Sequence, residues 1–207
     1  MTTATSRAYD HVKRAILERA YPGGALLSEG EIATEVGVSR TPVREALLRL
    51  ETEGLVRLYP KRGALVLAVS PQEISDVLET RELVETFTAG RATLDPELIQ
   101  RLTGFLAVMR EHTVATDARE FADADRRFHR TLVAAARNDI LTQLYDSLRD
   151  RQLRMAWLTA DDPGRTADAV REHGEILEAV RSGDRRRLRT AIHRHLQTTG
   201  ARLHGHP

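Results

Sequence analysis

The sequence predicts a mostly α protein in two parts: an N-terminal unit of three helices and a β-hairpin, and a C-terminal antiparallel six-helix bundle. Three observations predict it. Apolar residues recur every three or four positions along most of the 207 residues, and only 4% are aromatic, which suits Leu/Val/Ala-packed helices better than a β-sandwich. Two short runs, Leu55 to Tyr59 and Ala64 to Val69, flank Pro60-Lys61-Arg62-Gly63 and read as strands. Ser70-Pro71-Gln72-Glu73 then supplies a cap, a proline at the first helical position and a glutamate at the third. That start signal sets the expected domains at 1–69 and 70–207.

Each element has its own signal. The first helix is expected over 6–20, with Ala8, Val12, Ala15, Ile16 and Arg19 on one face, stopped by Tyr21-Pro22-Gly23-Gly24. Ser28 with Glu31 reads as a capping box that opens a second helix to Val36. Gly37 breaks that helix, and Ser39 caps a third that tolerates Pro42 in its first turn and ends near Glu53-Gly54. Beyond the boundary, helices are expected at 71–89, 96–115, 117–136, 139–159, 163–181 and 184–203. The breaks between them carry Asp95-Pro96, Arg137-Asn138, Asp161-Asp162-Pro163-Gly164 and Ser182-Gly183. Short connections of this kind imply antiparallel neighbours.

Composition narrows the function classes. The chain has no cysteine, which excludes disulfides and thiolate metal sites. No apolar stretch approaches the roughly 18–20 residues that span a bilayer, and the first twenty residues lack the apolar core of a signal peptide. A cytoplasmic location away from membranes is the expectation. Net charge is only +1, yet residues 40–62 hold six basic side chains (Arg40, Arg44, Arg49, Arg57, Lys61, Arg62) against three acidic ones. Such a local excess suits phosphates as well as an ordinary solvated surface.

Residues 29–48 decide between those two. A helix-turn-helix needs a small residue where its helices touch, a turn residue between them and an apolar inner face. Ala33 and Gly37 meet the first two needs, while Ile32, Val36, Val38, Val43 and Ala46 form the face. Ser39, Arg40, Thr41 and Arg44 then start the second helix, the end that enters a major groove. Arginine forks match guanine edges or phosphates, and hydroxyls suit phosphate oxygens. With the hairpin behind it, this is a winged helix-turn-helix.

The run Val38-Ser39-Arg40-Thr41-Pro42-Val43-Arg44-Glu45-Ala46-Leu47, with Gly23, Leu26, Glu29, Glu31-Ile32-Ala33, Gly37 and Glu53-Gly54-Leu55-Val56 around it, closely resembles the N-terminal domain of the GntR family of bacterial regulators. The resemblance implies that Arg40 and Arg44 contact bases, that Ser39 and Thr41 contact phosphates, and that Arg62-Gly63 is a wing tip in the minor groove. Arg49 joins this DNA-binding set through the basic excess. One departure matters: the family usually has an arginine or another polar residue where this chain has Gly30, so the operator sequence is expected to differ from the commonest pattern.

The second domain places polar residues on apolar seams. Asp125 sits between Phe121 and Phe128 where a leucine would be expected, and His129 lies one turn later on the same face. His173 falls among Val170, Leu177 and Val180, and His195 follows Leu188 and Ile192; Arg81 shares a seam with Ile74, Val77 and Val84. Buried charges need pairing or a metal. One aspartate and three neutral imidazoles satisfy one another around a divalent transition metal such as Zn²⁺ or Ni²⁺. Taken singly, each histidine suits a structural role; taken together they suit ligation.

The spacing Asp-x-x-x-His, then His173, then His195, resembles the metal-binding FCD effector domain of FadR-type GntR regulators, as do Ser70 to Glu85 and Asn138. By that resemblance the ligands are Asp125, His129, His173 and His195, and a small carboxylate effector is held beside the metal with Arg81 and Asn138. Leu, Ala and Arg side chains with Trp157 are expected to line the cavity. The expected protein is not an enzyme. It is a homodimeric regulator, most often a repressor in this family, on pseudo-palindromic double-stranded DNA. Two alternatives stay open: a metal sensor in which the ion is the signal, and a metalloenzyme fused to a DNA-binding domain.

Overall fold

A computed structural model describes residues 2–112, 114–159 and 164–205, the backbone alone for 114–116. The chain divides into two compact units, Met1–Val69 and Ser70–Pro207. The expected break at 161–164 falls largely outside the described residues, as does His206.

In the first unit, Thr3 caps α1 (Ala4–Leu17), which therefore starts earlier than its periodicity suggests. Arg19 adopts a left-handed φ of 61° and ends the helix before it can join the apolar face. Ser28 caps α2 (Glu29–Val36) through the Gly30 amide rather than as a full capping box with Glu31. Gly37, at φ 68° and ψ 46°, makes the left-handed turn into α3 (Arg40–Thr52). Strands β2 (Val56–Tyr59) and β3 (Gly63–Val66) form the expected hairpin, and a third strand, β1 (Leu26–Leu27), pairs with the other side of β3. At two residues, β1 is too short to leave a periodic signal. A Cβ on Gly63, where φ is +107°, would lie 2.1 Å from the Leu27 carbonyl oxygen, so only glycine lets these two strands meet. Among the described residues the core beneath, including Val12, Ile32, Val43, Leu47 and Leu50, is apolar.

In the second unit, Ser70 accepts from the Glu73 amide and opens α4 (Pro71–Ala89), and Asp95 does the same through Leu98 for α5 (Pro96–Glu111). Helix α6 (Val114–Ala134) contains a non-helical residue, Asp117, whose carboxylate accepts from the Glu120 amide at 3.1 Å. It thereby caps the stretch that carries Asp125 and His129. The chain continues through α9 (Arg165–Arg181) and α10 (Arg185–Gly205). The single helix expected over 139–159 is instead α7 (Asp139–Ser147), α8 (Arg149–Ala156) and a 3-10 turn at Trp157–Thr159. The break falls at buried Leu148, whose amide bonds back to Tyr145 in a tighter turn. The bundle thus has seven α-helices rather than six among the described residues. Its core joins Leu102, Leu106, Phe128, Leu132, Ile176 and Leu188, each worth about 1.5–3 kcal/mol of burial.

Candidate nucleic-acid interface and metal centre

The first unit presents Ser39, Arg40, Thr41 and Arg44 together, all exposed, at the start of α3. The inner face of that helix, Val43, Ala46, Leu47 and Leu50, is fully buried, so the outer face is held rigidly. Ser39 occupies the N-cap position, yet its side chain makes no capping bond. Gly30 leaves room for Arg40: a Cβ there would lie 3.3 Å from Nη2 of that guanidinium. Arg49 stands one helical stretch further on, its guanidinium 4.1 Å from the centre of the Tyr9 ring. Arg62 is exposed in the turn between β2 and β3, while Gly63 has the packing role already described.

In the second unit, Asp125 and His129 from α6, His173 from α9 and His195 from α10 converge, with one ligand atom of each within 4.8 Å of the others. His173 Nε2 lies 3.0 Å from His129 Nε2 and 3.2 Å from Asp125 Oδ1. The three histidines are buried, and Asp125 is partly open. Each imidazole is fixed from behind at Nδ1: His129 by Glu85 Oε2 at 2.7 Å, His173 by the Ala169 carbonyl at 2.7 Å, and His195 by Glu172 Oε2 at 2.8 Å. Carboxylates and carbonyls accept, so each Nδ1 carries the proton and each Nε2 turns a lone pair inward. Two facing lone pairs at 3.0 Å repel unless a cation or shared proton lies between them. For comparison, a tetrahedral zinc with bonds of about 2.0–2.1 Å separates its ligand atoms by roughly 3.3 Å. The donor set fits a borderline divalent metal.

Charge follows the same geometry. Burial lowers the His129 and His195 imidazoles below the usual histidine range, and for His195 the neighbouring imidazoles add to it. Burial alone would raise the Asp125 and Glu85 carboxyls, but the adjacent His173 side chain and the Arg81 charge, respectively, outweigh it and hold both low. Glu172 moves the other way, raised chiefly by burial. Sequence periodicity does not single out Glu85 or Glu172. A carboxylate one turn after Arg81 on a buried seam was a signal for the former; the latter is paired with a histidine of another helix and leaves none.

Arg81 Nε donates to Glu85 Oε1 at 2.7 Å, whereas its buried Nη2 has no hydrogen-bond partner among the described residues. Arg81, Asp125 and His195 line one cavity, together with apolar Val77, Phe121 and Met155. Two expected members are elsewhere. Asn138 is exposed and caps α7 by accepting from the Leu141 amide at 3.1 Å, so its carboxamide serves the helix start rather than the cavity. Trp157 lies in the 3-10 turn and is not among the lining residues; Ala156 and Thr159 on either side are.

The model of the bacterial regulatory proteins of the gntR family matches residues 4–66, and that of the FCD domain matches residues 76–198. The chain belongs to the GntR family and carries an FCD domain. Two GntR-type relatives show the extent of the likeness. An HTH-type transcriptional regulator in an unstable DNA locus of Streptomyces ambofaciens is 35% identical over 91% of this chain and 80% of its own. The "Probable D-xylose utilization operon transcriptional repressor" of Paenarthrobacter nicotinovorans is 30% identical over 94% and 86%. Among solved structures, a GntR transcriptional regulator from Rhodococcus sp. RHA1 shares the fold with a TM-score of 0.81, at 24% identity over 97% of both chains. The Zn²⁺-bound FCD domain of TM0439 aligns with a TM-score of 0.51, at 24% identity over 66% of this chain and 94% of that one. GntR-FCD proteins are DNA-binding transcriptional regulators, not enzymes. No helix among the described residues is long and apolar enough to cross a membrane.

Proposed function

We propose that this GntR-FCD regulator is a homodimeric repressor whose operator affinity is set by a small carboxylate bound beside a divalent metal in residues 70–207. The observation that carries this reading is the arrangement of three imidazoles, each tied at Nδ1, with Nε2 atoms and Asp125 sharing one centre. Asp125, His129, His173 and His195 hold zinc or nickel, which supplies positive charge at the cavity wall. The unused Nη2 of Arg81 donates to the effector carboxylate. In residues 1–69, Arg40 and Arg44 read base edges, Ser39 and Thr41 bind phosphates, and Arg49 and Arg62-Gly63 add contacts along the backbone and at the wing. Two copies related by a two-fold axis fit a pseudo-palindromic operator, and the effector acts by preferring one of two dimer arrangements.

Elemental analysis of untagged, chelator-free protein beside His173→Ala tests the centre. About one metal per chain, lost in the variant, is the expected result, and metal in neither sinks the reading. Operator affinity then separates the two signals. A change on adding metal alone identifies the ion as the signal, whereas a change only on adding a carboxylate to the metal-loaded protein supports an organic effector.

A further inference from the structure

We propose that the effector is a dianion, with a second acidic group held by Arg126 and Gln152; this rests on the reading above that the cavity takes a carboxylate. Arg81 Nη2, Arg126 Nε, Gln152 Nε2 and Tyr145 Oη are buried without a well-formed hydrogen bond among the described residues, and the Gln152 amide lies beside the Tyr145 hydroxyl. The first three belong to residues that line the one cavity, and they come from α4, α6 and α8 respectively. All three are donors. A buried donor left unmade is costly, so the two arginine N–H groups, with the amide hydrogen of Gln152 not turned to Tyr145, describe a ligand rich in acceptor oxygens.

Charge makes that ligand doubly anionic. The Arg81 charge already has Glu85 at 2.7 Å, and one ligand carboxylate between Arg81 and the metal completes that side. Arg126 has no such partner. Its nearest carboxylates are loose, Asp123 at 3.6 Å and Asp146 at 3.9 Å, and both are committed elsewhere. Asp123 pairs with Arg127 at 2.7 Å, and Asp146 accepts two bonds from Arg130 at 2.6 and 2.7 Å. Three arginines therefore share two aspartates, and the one left over is the one whose side chain is only 13% exposed and faces the cavity. A neutral acceptor would satisfy the Arg126 N–H and leave its charge uncompensated, whereas a carboxylate does both. Of the other cavity arginines, Arg202 pairs with Asp168, while Arg165 is held by the Ala156 carbonyl and lies over the Phe121 ring. The ligand class is accordingly a short dicarboxylic acid with an apolar middle against Val77, Phe121 and Met155.

Calorimetric titration of the zinc-loaded full-length protein with malonate, succinate and glutarate, beside acetate, propionate and butyrate, tests this. At least one diacid is expected to bind about tenfold or more tightly than the monoacid of comparable length, as one added charged hydrogen bond allows. Arg126→Gln is expected to erase that preference while keeping zinc content and monoacid affinity. Gln152→Leu is expected to weaken the diacid by a smaller factor. Equal binding of mono- and diacids to the unaltered protein, or a preference that survives in both variants, overturns the proposal alone. Binding of no acid at all overturns it together with the carboxylate reading. If Arg126→Gln fails to fold, the comparison in the unaltered protein and Gln152→Leu still decide.

Discussion

The core of residues 1–69 contains only apolar side chains, whereas that of residues 70–207 encloses Arg81, Glu85, His129, Glu172, His173 and His195 among the described residues. On the proposed function, the difference follows from where each unit would meet its partner. Ser39, Arg40, Thr41 and Arg44, proposed to meet DNA, are exposed on a scaffold whose core is apolar. On the same reading a small effector is met in the interior, where every charged group must be compensated, so stability and ligand binding in that unit would be linked.

The strongest way to break this comparison is to strip the proposed metal. Chelation is expected to lower the melting transition of residues 70–207 and leave that of 1–69 in place. At a hundredfold excess of metal over its dissociation constant the linkage amounts to about 2.7 kcal/mol. Calorimetry reads both transitions, and an equal shift of the two would end the distinction. The chelated protein also carries a pH signature. His129 and His195 have folded values lowered first by burial, so the unfolded chain binds more protons below the ordinary histidine value. Their contribution is present above about pH 6.5 and is lost as pH falls from there through the folded values. Melting of the chelated protein at about pH 7.5 and 5.5 should show the lower stability at the acidic end.

A smaller effect isolates the other side of the comparison. Arg44→Ala is expected to cost roughly 1–3 kcal/mol of operator binding and to relax discrimination against random DNA. Because Arg44 is exposed, both melting transitions should stay where they are. Unchanged discrimination removes Arg44 from base contact. The smallest effect concerns Asn138. Asn138→Ala removes a helix cap and should cost about 0.5–2 kcal/mol of stability in residues 70–207, with metal and acid affinity unchanged. A specific loss of acid affinity would return Asn138 to the effector site.

Much of this was legible in the sequence. Helix starts at Ser70 and Asp95 were readable because capping is local, as was the left-handed turn at Gly37. Asp125, His129, His173 and His195 were readable because a polar residue on an apolar seam contradicts the pattern around it. The split of 139–159 at Leu148 was not readable, since no glycine or proline marks it. Strand β1 was not either, because its two residues depend on β3 for their pairing.

The sequence by itself pointed to the two-domain plan, the GntR-FCD family and the cluster of Asp125, His129, His173 and His195, each legible from caps, motifs or a polar residue on an apolar seam. Only the tertiary structure decided which groups stand behind and beside that centre. Glu85 and Glu172 fix imidazoles from other helices, Arg126 is left without a close carboxylate by Arg127 and Arg130, and Asn138 is taken by α7. The physical reason is range. Periodicity records which face of a helix is buried, whereas a hydrogen bond or an uncompensated charge depends on atoms brought within a few ångströms from distant parts of the chain.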